Sequence, residues 1–274
     1  MSFIRKWRYF YRVNVKWLKE WKRYTLQKII YLFYIFQGIL FLQHQKIIQI
    51  CENYINDQKN GHTVTKSIKG DLFFEGNYKQ DEKNGQGKLI IQDKLQYTGQ
   101  FLNDKFNGQG ILIDSDQNIY EGEFQENQKN GMGKYKTQIS NYVGNFKNDK
   151  YEGKGQTVFL KNNDFYCGDF KNGKMHGQGE YQSKNFIYNG EFISDLFNGQ
   201  GTYQNLENKI IYQGTFSNNC LDSSQETIIK YQNGDVYKGF VKNWNKHGKG
   251  IMCFANGNIA EGDFVDDLFQ DSQQ

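Results

Sequence analysis

Four histidines (His44, His62, His176, His247) and four cysteines (Cys51, Cys167, Cys220, Cys253) are the side chains of this sequence best suited to chemistry. Acid–base or nucleophilic catalysis needs several titratable groups to converge. A zinc site needs ligands in close pairs. The cysteines lie far apart with no Cys-x-x-Cys, so they read as reduced thiols rather than a metal site or disulfide framework. His176 and His247 each stand before a Gly-x-Gly, at equivalent points of two similar stretches. There is no Gly-x-Ser-x-Gly, no His-Glu-x-x-His and no phosphate loop ending in Gly-Lys-Ser/Thr. The Gly-x-Gly pairs lack the third glycine and the following helix of a dinucleotide site. The expectation is a non-enzyme with no cofactor, no metal and no small-molecule substrate.

The glycines belong to something else. Marking each aromatic–x–Gly from Phe74 onward gives anchors at Phe74, Tyr97, Tyr120, Tyr142, Tyr166, Tyr188, Tyr212 and Tyr237, with Ala260 opening a truncated ninth unit. The steps are 22 to 25 residues. Four residues after an anchor stands another aromatic, as in Phe101, Phe124, Phe146, Phe170 and Phe192. Eleven and thirteen after it come paired glycines, except in the unit at Tyr212. Such periodicity is the mark of a repeat architecture. Anchor, glycine and aromatic at spacing two share one face of a strand. Polar residues ending in Asn-Gly then read as a turn, and Gly-x-Gly-x-aromatic as a second strand. Tyr135, Tyr181 and Tyr203 fall on the glycine face, where a missing side chain leaves room for a neighbouring ring. Each unit is a β-hairpin that buries its aromatics only by stacking on the next. Tyr97, Gly99, Phe101, Tyr120, Gly122, Phe124, Tyr142, Phe146, Tyr166, Phe170, Tyr188 and Phe192 are the expected repeat core.

Composition agrees with a core built from rings: hydrophobic residues make up 37% of 274 while aromatics reach 16%. Proline is absent, where average usage of about 5% would give roughly 14.

These units resemble the MORN repeat family (membrane occupation and recognition nexus). The shared signature is Tyr-x-Gly-x-aromatic, a polar turn, then His/Asn-Gly-x-Gly. His176-Gly177 and His247-Gly248 match the His form; Asn84, Asn107, Asn130 and Asn198 match the Asn form. The resemblance covers about residues 74–265. Phe74, Ala260, Glu152, the shifted Phe240-Val241 and the unit at Tyr212 depart from it, and the last is expected to carry a bulge or longer loop. The resemblance implies a mainly β fold, an elongated single-layer antiparallel sheet. A helical segment is expected before it.

That segment has another composition. Residues 1–28 carry nine Lys/Arg and one acid, a charge of +8, leaving −4 for the rest of the chain. Trp7, Trp17 and Trp21 recur at helical spacing among Arg5, Lys6, Arg8, Arg12, Lys16, Lys22 and Arg23, the pattern of a basic amphipathic helix at a membrane surface. Residues 29–55 read as an apolar helix, with fourteen uncharged residues at 29–42. That is shorter than the ~20 a spanning helix needs. A tilted membrane segment, a buried packing helix and a cleaved targeting signal stay open for it. Residues 56–73 read as a linker, 74–265 as the array and 266–274 as a tail.

On the sheet, positions one and three after each anchor carry Glu75, Glu121, Glu123, Asp169, Glu191, Glu261 and Asp263 against Lys238 alone. That row reads as acidic and unsuited to anionic lipid or nucleic acid. Ten lysines against six acids line the turn edge, a weak positive charge over eight turns. The expectation is a scaffold that receives a partner helix or extended segment on its aromatics. It would be a subunit of a cytoskeletal, ciliary or mitochondrial assembly, with any membrane contact made by the leader. A membrane tether or phosphoinositide-binding adaptor is the alternative.

Overall fold

The computed structural model describes residues 47–270, and the leader helices expected before residue 47 lie outside them. The described residues form one sheet of 21 antiparallel strands. Each strand pairs with the next in the chain, except that Ile211–Ser217 pairs with both Cys220–Leu221 and Thr227–Lys230. The sheet begins before the first aromatic anchor. Ile47–Ile55 is a strand rather than the end of a helix, and Gln58–Ser67 occupies most of the expected linker. At the other end Leu268–Gln270 pairs inside the expected tail.

The unit at Tyr120 shows why the phrase recurs. Ile119–Gln125 and Gln128–Lys136 are joined by Glu126 and Asn127, with φ of 50° and 71°. Two consecutive residues in the left-handed region make the tight turn whose twist matches that of the strands. The same pair recurs at Asn103–Asp104, Asn148–Asp149 and Ser194–Asp195. The turn is therefore not at Asn130-Gly131, where the Asn-Gly signal placed it. Gly131 lies inside the second strand with φ of 67°. There Glu123 faces the three residues between Lys129 and Gly133, a bulge that only a permissive backbone accommodates.

The second glycine has a different task. Gly122 faces Gly133, and Gly133 faces Gly144 of the following unit. Glycine meets glycine in this way from Gly76 to Gly214, with Thr63 before the row and Thr227 interrupting it ahead of Gly239, Gly250 and Gly262. Over this bare strip lies the anchor ring. A Cβ on Gly133 would stand 2.5–2.7 Å from three atoms of Tyr120. The ring that fills the hole thus comes from the unit's own anchor. The Tyr120 hydroxyl donates to the Glu123 carbonyl at 2.8 Å, and Tyr97, Tyr142, Tyr166, Tyr188 and Tyr237 each make the equivalent bond three residues ahead.

Tyr120→Phe should therefore lower stability by about 1 kcal/mol, the loss of one net hydrogen bond. Tyr120→Ala should cost about 3–5 kcal/mol through the cavity it leaves. Urea unfolding of both variants measures the split; equal losses would mean the hydroxyl, and not the ring, dominates.

Units are also stitched at their turns. Asp104, Asn127, Asp149, Asp195 and Asn219 each accept the backbone N–H at the start of the preceding unit's second strand, at 2.7–3.1 Å. The unit at Tyr212 carries the expected irregularity. Its second strand is split, with residues 222–226 looping out before Thr227 rejoins the ladder.

Candidate functional site

The anchors and their partners form a continuous ring zipper. Phe124 meets Tyr120 at 5.0 Å and Tyr97 at 5.3 Å, both edge to face. Phe146, Phe170 and Phe192 repeat this bridge between their own and the preceding anchor, and Phe216 meets the preceding anchor Tyr188. Edge-to-face contact at this distance is the favoured aromatic geometry. Tyr97, Phe101, Tyr120, Phe124, Tyr142, Phe146, Tyr166, Phe170, Tyr188 and Phe192 are all buried, as are Gly99 and Gly122. Burial pushes the phenols of Tyr97 and Tyr237 up to about 12, and those of Tyr120, Tyr142, Tyr166 and Tyr188 higher.

A second tier lies over these rings. Nine residues after the anchor come Lys83, Phe106, Lys129, Tyr151, Met175 and Phe197. Phe106, Tyr151 and Phe197 stack flat on Tyr97, Tyr142 and Tyr188 at 3.7–3.9 Å. Lys129 instead lays its ammonium 4.0 Å from the Tyr135 ring centre, and burial lowers its pKa. Fifteen after the anchor the residue is Leu89 or Leu112 in the first units, then Tyr135, Thr157, Tyr181 and Tyr203.

The result is a run of half-buried rings in the middle of the sheet. Phe159 lies 6.2 Å from Tyr181, Tyr181 5.9 Å from Phe186, Phe186 4.9 Å from Tyr203 and Tyr203 4.8 Å from Trp244. Trp244 comes from a turn of the Tyr237 unit and packs back on Tyr212 and Phe216, beside the split strand. It sits at φ of 70°, where the other turns hold mostly Asn or Asp. Beneath the run, buried Asp164 accepts from the Tyr181 hydroxyl at 2.5 Å and from Asn162 at 2.6 Å. The sequence placed Tyr181 and Tyr203 on this face but missed Phe159, Phe186 and Trp244, which lie outside the signature.

The opposite face is more balanced than one strand of each hairpin suggests. Lys88 stands across from Glu75, Lys134 from Glu121, Lys249 from Asp263, and Lys154 bridges Asp169 at 2.8 Å. With Glu180, Lys66, Lys136, Lys230 and Lys238 included, eight carboxylates meet eight lysines away from the hairpin tips. The expected acidic row is therefore a mixed, nearly neutral surface, because the lysines sit on the complementary strands.

The chemistry-bearing residues do not converge. Cys167, Cys220 and Cys253 are exposed and Cys51 is half-buried, all free. Among the described residues no group of His, Cys, Asp or Glu could hold a metal ion. No helix among them is long and apolar enough to cross a membrane. The ten basic and tryptophan residues expected at a membrane, Arg5 to Arg23, lie outside the described residues.

A family model described as "MORN repeat" matches residues 74–95, 97–119, 120–138, 142–160, 166–186, 188–205 and 237–259, more than half of the chain. It passes over the split unit at Tyr212. No curated protein matches. Among solved structures, the TCP domain of Drosophila melanogaster SAS-4 (dCPAP), in complex with a proline-rich motif of Ana2 (dSTIL), is 15% identical. That match covers 65% of this chain and 83% of the other at a TM-score of 0.26. Virginiamycin B lyase from Staphylococcus aureus, in a catalytically inactive form with quinupristin, is 12% identical, covering 79% and 87% at a TM-score of 0.15.

Proposed function

The chain belongs to the MORN repeat family, and from that premise we propose that it is a non-catalytic scaffold whose aromatic face receives a helix of a partner protein. The run from Phe159 to Trp244 carries this reading. Its ring steps of 4.8–6.2 Å follow one another at about the 5.4 Å rise of a helical turn. A helix laid across the strands would set one apolar side chain per turn against successive rings. Rings are the usual hot spots of such contacts, because they bring large area at small entropy cost. The Tyr181 hydroxyl and Asp164 supply a polar point that fixes register.

We assign any membrane contact to the leader, on the strength of its +8 charge and its tryptophans. A place within a cytoskeletal, ciliary or mitochondrial assembly stays part of the proposal, with a phosphoinositide-binding adaptor as the second reading.

The test is affinity capture from cells with full-length protein, wild type against Phe186→Ala/Tyr203→Ala. Two lost hot-spot rings should weaken the main partner by about 4 kcal/mol, roughly a thousandfold, enough to empty the capture. Circular dichroism should still report the sheet. An unchanged partner set on a folded variant would place recognition elsewhere.

A further inference from the structure

The lysines of the turn edge are not evenly spread. Residues five and eight after an anchor face one another across the hairpin end, on the side away from the rings. Most units place mixed or uncharged pairs there: Lys79 with Glu82, Gln125 with Gln128, Ile193 with Leu196. Two adjacent hairpins differ. Lys147 faces Lys150, and Lys171 faces Lys174. All four are exposed, and none forms an ion pair among the described residues.

The two tips are fixed side by side. The Gly173 amide donates to the Tyr151 carbonyl and the Asn172 amide to Glu152 Oε2, both at 2.9 Å. Nearby acids are engaged. Glu152 holds Asn172, Asp149 accepts the Lys129 amide at 2.9 Å, and Asp169 is bridged to Lys154. Gly173 stands where most other tips carry Asp or Asn, so the second tip has no carboxylate of its own. Like charges directly opposed across a strand pair are destabilising. These strands are interior, so lysine is not guarding an edge. An anion brought from outside would relieve that repulsion.

We propose that Lys147, Lys150, Lys171 and Lys174 form a docking site for an acidic segment of a partner protein, on the face opposite the aromatic run. The four lysines lie on four successive strands about 4.8 Å apart, so they form a row roughly 14 Å long. An extended segment of about five residues laid along the row spans all four. A planar bilayer would also meet the mixed charges on the rest of this face, with Glu75, Glu121, Glu123 and Glu191 among them. A narrow segment meets the four lysines alone. The site is independent of the aromatic reading, and both together make the sheet a two-sided adaptor.

The test uses full-length protein and a fluorescein-labelled peptide of alternating Glu and Ser at low salt. A carbodiimide couples its carboxylates to the lysines they touch, and mass spectrometry maps the products. The leader is common to every protein compared. Coupling at the four lysines should exceed that at Lys79, Lys105 and Lys242 by about fivefold, as expected for a local charge cluster. Lys147→Gln/Lys150→Gln/Lys171→Gln/Lys174→Gln should weaken the peptide by a similar factor and leave the melting temperature unchanged or higher. Coupling spread evenly over all tips, or confined to the leader, would overturn the site. So would vesicles with anionic lipid that bind through these lysines while the peptide does not.

Discussion

Gly122→Ala is expected to break the ladder about a third of the way along, on its seventh strand. The added Cβ would stand 2.6 Å from the Gly133 Cα and from the Met132 carbonyl, and 2.7 Å from the Tyr120 hydroxyl. Two of those atoms are backbone in a paired strand and cannot withdraw without breaking hydrogen bonds. Overpacking of a well-packed core costs about 1–3 kcal/mol, and a backbone clash lies at or above the top of that range. In a linear array, stability is a sum of unit and neighbour terms, so the loss should appear as two separated urea transitions. Gly262→Ala is the comparison. It sits in the same row, but its nearest neighbour is the Phe269 ring at 2.9 Å, a side chain near the end of the described sheet that can turn aside. Its cost should be below about 1 kcal/mol. Equal shifts in the two variants would show that backbone approach along the glycine row is not what limits them.

Alkali is expected to unfold the sheet cooperatively. Tyrosine titrates near pH 10 in an unfolded chain, whereas burial holds Tyr97 and Tyr237 at about 12 and Tyr120, Tyr142, Tyr166 and Tyr188 higher. Above pH 10 the unfolded state therefore releases protons that the native state keeps. The tyrosine contribution is complete below pH 10 and is lost as pH climbs toward the native value. Each such phenol lowers stability by about 1.4 kcal/mol per pH unit across that window. Tyr97 alone would contribute about 2.3 kcal/mol of loss by pH 12. Several acting together exceed the 5–15 kcal/mol that holds most domains folded. Phenolate absorbance and the β circular dichroism signal should then change together, at about pH 11. Smooth phenolate titration around pH 10, with the sheet intact, would mean the anchors are far more accessible than their packing indicates.

Where the sequence spoke clearly, it did so through residues repeated at equal register. Tyr-x-Gly-x-Phe is legible because ring, glycine and ring all fall on one face, and that face is the core. The turn was misplaced for a physical reason. Asn-Gly is the strongest short hairpin signal, but in these units the left-handed pair is Asn-Asp or a close variant, and Asn-Gly is the bulge that follows. The outer face was misjudged because charges were read along one strand, while Lys88, Lys134, Lys154 and Lys249 arrive from its partner.

The first hairpin could have been found. "NDQKNGHT" at 56–63 has the turn and bulge of "NDKFNGQG" at 103–110, with Thr63 in the glycine row. Tyr54 holds the place of Phe101, but Cys51 faces Thr63 where the other hairpins pair two glycines. The half-buried run from Phe159 to Trp244 had no such signal. Phe159, Phe186 and Trp244 sit at positions the repeat leaves free, and only the fold brings them into line.

The register that runs without a break from the Phe74 unit through the Tyr188 unit also makes this molecule a ruler. Every copy adds two strands and so about 9.5 Å of length, whatever its side chains. Anything bound to the rings near Tyr203 and anything held at Lys147 and Lys171 are set apart by a whole number of strand widths. Duplication or loss of one copy between them would lengthen or shorten that separation by a fixed increment. It would leave both contacts chemically unchanged.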